Sequence, residues 1–306
     1  MTSHQGKSQF VTEIATISVV QHRNLIKLHG CCIEGGKQLL VYESLENKSL
    51  DQALFGIAKG LAFLHEESQL RIVHRDVKAS NILLDSNLNP KISDFGLAEL
   101  YDDNKTHIST HVAGTIGYLA PEYAMRGHLT EKADMFAFGL VALETISGRP
   151  NSAPNLEEEQ IYLFEWAWNL QEQNNEGDLV DSELSEFNED EVRRLIRVAL
   201  LCTQTSPTSR PSMSRVVAML SGDIEVSTQI SRPSYLADWS LDILSSILSD
   251  VVTIGTDSTY YDSPASTSMV GDTFPSPAKG TTRPILQSYK SKGFVGPWVL
   301  QGWRGA

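Results

Sequence analysis

Apolar residues recur at helical spacing from Ser8 to Val20, where Phe10, Ile14 and Ile17 share a face with Glu13 beside them, which predicts a helix. Two short apolar runs follow, Leu25 to Leu28 and Gln38 to Tyr42, with Gly30, Gly35 and Gly36 between them; they read as the strands of a small hairpin. Ile57, Leu61 and Leu64 give a second helical stripe, about ten residues and so about 15 Å long, which runs into the stretch from Ile72 to Asp85. Lys91 to Phe95 reads as a strand before a glycine. Within Thr130 to Ser147, the residues Met135 to Ile146 are so evenly apolar that their helix must be buried on all sides. Amphipathic helices are predicted around Leu163, Trp166 and Leu170, around Val192, Leu195, Ile196 and Ala199, and around Met213, Val216, Val217 and Leu220.

The pattern changes after Gly222. Ser, Thr, Pro, Gly and Asp dominate from Thr253 to Arg283, which cannot bury enough apolar surface to offset the entropy of ordering, so a disordered tail is expected. Only Tyr235 to Val251, with Leu236, Trp239, Ile243 and Ile247, keeps a helical spacing there, and it reads as a weak surface helix.

Composition narrows the function. A chain of 306 residues with 41% hydrophobic content can build one or two soluble domains. A net charge of -13 without any basic run excludes nucleic acid as a partner. Of three cysteines, Cys31 and Cys32 are adjacent, which is no metal-ligand spacing, and the odd total with Cys202 opposes a disulfide framework; a reducing, cytosolic setting fits. Neither an apolar leader nor eighteen consecutive apolar residues occur, so no membrane insertion is expected.

The chemistry concentrates in Ile72 to Asp85. Asp76, Lys78 and Asn81 stand at offsets 0, 2 and 5 between apolar runs, as a rigid loop between buried segments would hold three polar groups towards one point. A carboxylate to accept a hydroxyl proton, an ammonium to neutralise phosphate and an amide oxygen for a metal together suit phosphoryl transfer. A metal-dependent hydrolase is disfavoured, because no histidine ligand cluster accompanies them.

His74-Arg75-Asp76-Val77 with Asn81 matches the kinase pattern His-Arg-Asp-Leu-x-x-x-Asn with Val for Leu. Asp94-Phe95-Gly96, Gly114 to Glu122 and Asp134 follow in register, and at this point residues 3 to 222 resemble a eukaryotic protein kinase. The wording of His74 to Asp85 and of Gly114 to Glu144 is similar to plant receptor-like Ser/Thr kinases of the leucine-rich-repeat, malectin-containing type. The resemblance implies an α+β, protein-kinase-like fold with a mostly helical C-lobe and an incomplete N-lobe sheet. Residues 1–44 would be the partial N-lobe, 45–222 the C-lobe and 223–306 the tail.

The resemblance also implies roles. Asp76 would be the catalytic base, Lys78 would steady the transferred phosphate and Thr115 would contact the catalytic loop. Asn81 and Asp94 would hold Mg2+ against ATP, with Tyr42 as gatekeeper, Glu43 to Leu45 as hinge and Leu83 as the apolar floor under adenine. Glu122 would pair with Arg210, Asp134 would anchor the catalytic-loop backbone, and His74, Phe95, Ile17 and Leu28 would stack as a buried spine beside Gly96. Arg75 would pair with a phosphate on Thr106, Ser109 or Thr110. Protein substrates and receptor kinases would be the partners, at the inner face of the plasma membrane.

Two departures from the family pattern stand out. No Gly-x-Gly-x-x-Gly and no Val-Ala-x-Lys precede Glu13, and Lys7 is too near Glu13 to be the strand lysine, so Glu13 is expected to lack its partner and catalysis to be impaired. The helix at Ile57 begins where the family's is half complete, as if some twenty residues were missing. A non-catalytic, pseudokinase-like binding module is the alternative function.

Overall fold

The computed structural model describes residues 4–34, 37–43, 51–101, 106–153, 155–156, 160–184, 187–227, 230 and 232–233. Leu45, the helix expected over Tyr235 to Val251 and the tail from Thr253 to Arg283 lie outside the described residues.

Helix α1 (His4–Val19) turns Phe10, Glu13 and Ile17 inward, a spacing of about one turn, and leaves Val11 exposed. The hairpin is shifted from its expected place: β1 is Leu28–Glu34, antiparallel to β2, Lys37–Tyr42. Leu25 instead makes an isolated bridge to Ile92, and the Ile26 amide donates to the Ile92 carbonyl at 2.9 Å. Burial explains the difference, because Leu25 and Ile26 are core residues whereas Cys31, Cys32 and Ile33 are exposed strand residues without an apolar signature.

Helix α2 spans Asp51–Ala62 and is longer than the stripe at Ile57 predicted. Leu54, Ile57, Ala58 and Leu61 form its buried face. Gly56 lets it press on the strand β5 (Pro90–Ile92), for a Cβ on Gly56 would stand 2.2 Å from the Pro90 ring. The helix does not stop at Ala62 but widens into a π turn, Phe63–Glu67, closed by the Ser68 amide on the Phe63 carbonyl at 2.8 Å. Within this turn Leu64 and His65 are both buried in the core.

Short antiparallel pairs follow: β3 (Arg71–Val73) with β6 (Glu99–Tyr101), and β4 (Ile82–Leu84) with β5. The strand expected from Lys91 to Phe95 ends at Ile92, because Asp94 takes a left-handed backbone conformation with φ 67° that no strand tolerates. Two-residue strands β7 (Ile108–Ser109) and β8 (His128–Leu129) pair around helix α3 (Pro121–Arg126).

The pillar is α4 (Glu131–Ser147), buried on all sides as its composition requires. Thr130 caps its start by accepting from the Lys132 amide, and Gly148, at φ 65°, ends it. Against it pack α5 (Leu163–Glu172) and α6 (Glu189–Cys202), while α7 (Met213–Ser221) packs on α2 and α6, and the core runs unbroken from Ile17 and Leu25 through α2 and α4 to Met219. Past α7 the chain turns at Gly222 (φ 83°) and stays on the body, where Val226 and Ile230 pack against the core.

Candidate functional site

The loop after β3 is held from below by one carboxylate. Asp134, in the first turn of α4 and 1% exposed, accepts the His74 amide through Oδ2 at 2.7 Å and the Arg75 amide through Oδ1 at 2.8 Å. His65 adds its Nε2 to Oδ2 at 2.8 Å, and its buried Nδ1 has no partner among the described residues, so Nε2 is the nitrogen that donates to the carboxylate. These bonds pin Arg75 at φ 73°, a conformation costing a non-glycine residue on the order of 1 kcal/mol or more.

So pinned, the chain presents Asp76. Its Oδ1 accepts from the Thr115 hydroxyl at 2.6 Å, while its Oδ2 accepts from Lys78 Nζ at 2.7 Å and from Asn81 Nδ2 at 3.2 Å. Lys78 also donates to Thr115 Oγ1 at 2.8 Å, closing a triangle. Burial alone would push the Asp76 carboxyl up, but the hydrogen bonds from Lys78 and Thr115, with the Lys78 charge, outweigh it and hold the group below the usual carboxylate range. Gly114 makes the approach of Thr115 possible, since at φ 127° a Cβ there would meet the Arg75 carbonyl oxygen at 2.8 Å.

Asn81 closes the short 3-10 turn Ala79–Asn81 and gives its amide hydrogens to the Asp76 carbonyl and carboxylate, leaving its Oδ1 with no hydrogen bond among the described residues. The Asn81 carbonyl accepts both the amide (2.9 Å) and the hydroxyl (3.0 Å) of Ser93, which fastens the Asp94 segment to the loop. His74 does the same through Nε2 on the Ser93 carbonyl, 3.1 Å, and meets the buried Phe95 ring edge-on at 4.8 Å. Asp94 itself is exposed, and Gly96 is buried behind it. Ile17 is buried in the same core and Leu28 packs against it.

Arg75 turns away from Asp76 towards the segment after β6. Its guanidinium reaches the Tyr123 hydroxyl (2.6 Å), Glu99 Oε1 (3.0 Å), Thr110 Oγ1 (3.3 Å) and the His111 carbonyl. Tyr123 was not singled out by the sequence, yet its hydroxyl also accepts the Ala113 amide at 2.9 Å and so ties three segments together. Thr106 and Ser109 are exposed, Thr106 at 3.0 Å from His107 Nδ1 and Ser109 opposite His128 across β7 and β8.

Further out, Arg210, 1% exposed, meets both oxygens of Glu122 at 2.7 and 2.8 Å and donates to the carbonyls of Gln204 and Lys132 at 2.8 Å. A second buried carboxylate, Glu144, accepts the Tyr118 hydroxyl at 2.8 Å and the Asn151 amide at 2.7 Å. Burial pushes Glu144 up to about 7 against those hydrogen bonds. Nothing in its spacing marks Glu144, a single charge in an apolar run.

Glu13, expected to lack the strand lysine as its partner, is held by two other groups. Its Oε1 accepts the Tyr42 hydroxyl and, at 3.4 Å, the Phe95 amide. Burial, opposed by the Tyr42 hydrogen bond, keeps its carboxyl above the usual range, and the Tyr42 phenol is raised by its own burial beside that carboxyl. Glu43 accepts the Lys27 amide (2.9 Å) and pairs with Lys91 (3.0 Å), and Leu83 is partly buried on β4. Among the described residues, no group of three or more His, Cys, Asp or Glu could hold a metal by itself.

Comparison with known proteins agrees with this geometry. A family model described as protein kinase domain matches residues 1–220. Two probable LRR receptor-like serine/threonine-protein kinases of Arabidopsis thaliana are 66% and 64% identical over 257 residues, 78% of this chain but 25% of each relative. Cold-responsive protein kinase 1 of Arabidopsis thaliana is 52% identical over 260 residues, covering 78% of this chain and 67% of that protein. The chain thus spans about a quarter of the length of the receptor-like relatives it matches. With the match reaching from α1 to α7, this chain belongs to the protein kinase family, in its plant receptor-like serine/threonine branch.

Proposed function

We propose that this chain carries the phosphoryl-transfer centre of an ATP-dependent serine/threonine protein kinase, with residues 1–44 as part of the N-lobe, 45–222 as the C-lobe and 223–306 as an extension. The observation that supports it best is the arrangement at Asp76. Its Oδ2 accepts two hydrogen bonds and its Oδ1 one, so Oδ1 keeps an acceptor direction for a substrate hydroxyl, and the lowered pKa keeps the group ionised at neutral pH. As the serine or threonine oxygen bonds to the γ-phosphorus, the bond to the ADP oxygen breaks and the hydroxyl proton passes to Asp76. Lys78, already beside Asp76, offers its remaining N–H donors to the phosphoryl oxygens.

Asn81 and Asp94 would hold Mg2+. One amide oxygen and one carboxylate suit a hard cation that keeps waters and takes phosphate oxygens for the rest of its shell. When bound, the ion neutralises charge on the phosphate oxygens. Tyr42, Glu43 and Leu83, with Leu45, would line the adenine side. Thr110, already at Arg75, is the phosphosite best placed to order its segment, ahead of Thr106 and Ser109.

No described helix is long and apolar enough to cross a membrane. We place the chain on the cytoplasmic side of receptor kinases, with protein substrates. The test is transfer from Mg-ATP to a generic basic protein by the full chain. Asp76→Asn should reduce it at least about 100-fold, the usual scale of general-base loss, and Thr110→Ala should slow activation by a phosphorylating kinase. Transfer equal in parent and Asp76→Asn would overturn the assignment, and no transfer by a folded parent would leave the binding-module reading.

A further inference from the structure

The extension after α7 is fastened to the body at one residue the kinase chemistry does not use. Arg232 donates through Nη1 to Asn169 Oδ1 at 2.7 Å and to Glu172 Oε2 at 2.9 Å, and its Nη2 stands 4.0 Å from Glu165 Oε1. These three acceptors lie at i, i+4 and i+7 along α5, on one face of the helix. No basic residue occurs in α5, and Asn169 and Glu172 belong to its last turn, at the end of the helix whose dipole favours a cation. Arg232 therefore meets two carboxylates, a side-chain amide oxygen and the negative end of a helix at once.

Apolar contacts flank this clamp. Val226 and Ile230 pack against the core, and Pro233 is buried next to the arginine. Proline fixes its own backbone and biases its predecessor towards extended structure, so Arg232 reaches α5 from a chain with little freedom to lose. A planar guanidinium suits paired acceptors better than an ammonium would.

We propose that the Glu165–Asn169–Glu172 face of α5 is a docking surface for an arginine-bearing segment, occupied in cis by this chain's own extension through Arg232. The arginine then holds the last turn of α5 in place. The surface is half-exposed and ionic, so the clamp is releasable by salt.

Amide hydrogen exchange on the full chain tests this. In Arg232→Ala, exchange should quicken roughly three- to tenfold at Val226, at Ile230 and in the last turn of α5, the scale of losing a partly exposed charged hydrogen-bond cluster. Arg232→Lys should fall between that variant and the parent. The reversed pair Arg232→Glu with Glu172→Arg should restore part of the protection, which a merely structural loss would not. Exchange in Arg232→Ala equal to the parent at these sites, or no recovery in the reversed pair, would overturn the proposal.

Discussion

Replacing Asp134 by Asn tests the anchoring of the loop with almost no change of shape. The carboxylate accepts three hydrogen bonds, from the amides of His74 and Arg75 and from His65 Nε2. Asparagine has one acceptor oxygen. If that oxygen stays with His74 and His65, the new NH2 group faces the Arg75 amide, donor against donor. One charge-assisted bond, worth about 1.5–3 kcal/mol, is lost, and a buried N–H is left unsatisfied at a further cost of about 1–3 kcal/mol. No longer burying a charge in a site 1% exposed offsets part of this. A net loss of about 3 kcal/mol follows, a large share of the roughly 5–15 kcal/mol typical of a domain. Urea unfolding of parent and Asp134→Asn should show it at constant slope, because the change lies in the folded state. Amide exchange should localise it to Arg75, whose φ of 73° would relax once released. A loss under about 1 kcal/mol with the Arg75 amide still protected would refute the anchoring argument.

Two further outcomes follow from buried ionisable groups. Glu144 is pushed up to about 7 from its ordinary 4.5, so the folded state binds more protons between those values; its contribution to stability is full below pH 4.5 and lost as pH rises through about 7. Glu144→Gln should remove about 3 kcal/mol of the decline in stability between pH 5 and pH 8, and parallel curves for the two proteins in urea would contradict this. Arg210→Ala strands Glu122 and the carbonyls of Gln204, Lys132 and Thr205 and should cost about 3–5 kcal/mol in the same assay. Arg210→Lys should recover less than half, since an ammonium cannot engage both Glu122 oxygens and the carbonyls together.

What the sequence disclosed was whatever has a local period or a fixed spacing. Met135 to Ile146 could only be a buried helix, and Asp76, Lys78 and Asn81 converge as their offsets suggested. Features that depend on distant partners stayed hidden. Leu25 looks like a strand residue but belongs to a bridge with Ile92, and β1 consists of residues with little apolar alternation. Tyr123 and Glu144 acquire their importance from groups 7 to 48 positions away, in other elements of the fold. The family pattern assigns Glu13 a lysine, whereas a phenol 29 positions along donates to its carboxylate.

The π turn at Phe63–Glu67 fixes a count as well as a shape. An α-helix passing through the same residues would swing its exit by about 100° for each residue gained or lost. Deleting one residue between Phe63 and Glu67 would leave a more regular helix and a worse protein. His65 would no longer reach Asp134, and β3 would enter the site out of phase. The segment thus behaves as a ruler whose length, more than its composition, is under constraint: substitutions at the exposed Glu67 should be tolerated where a single deletion is not.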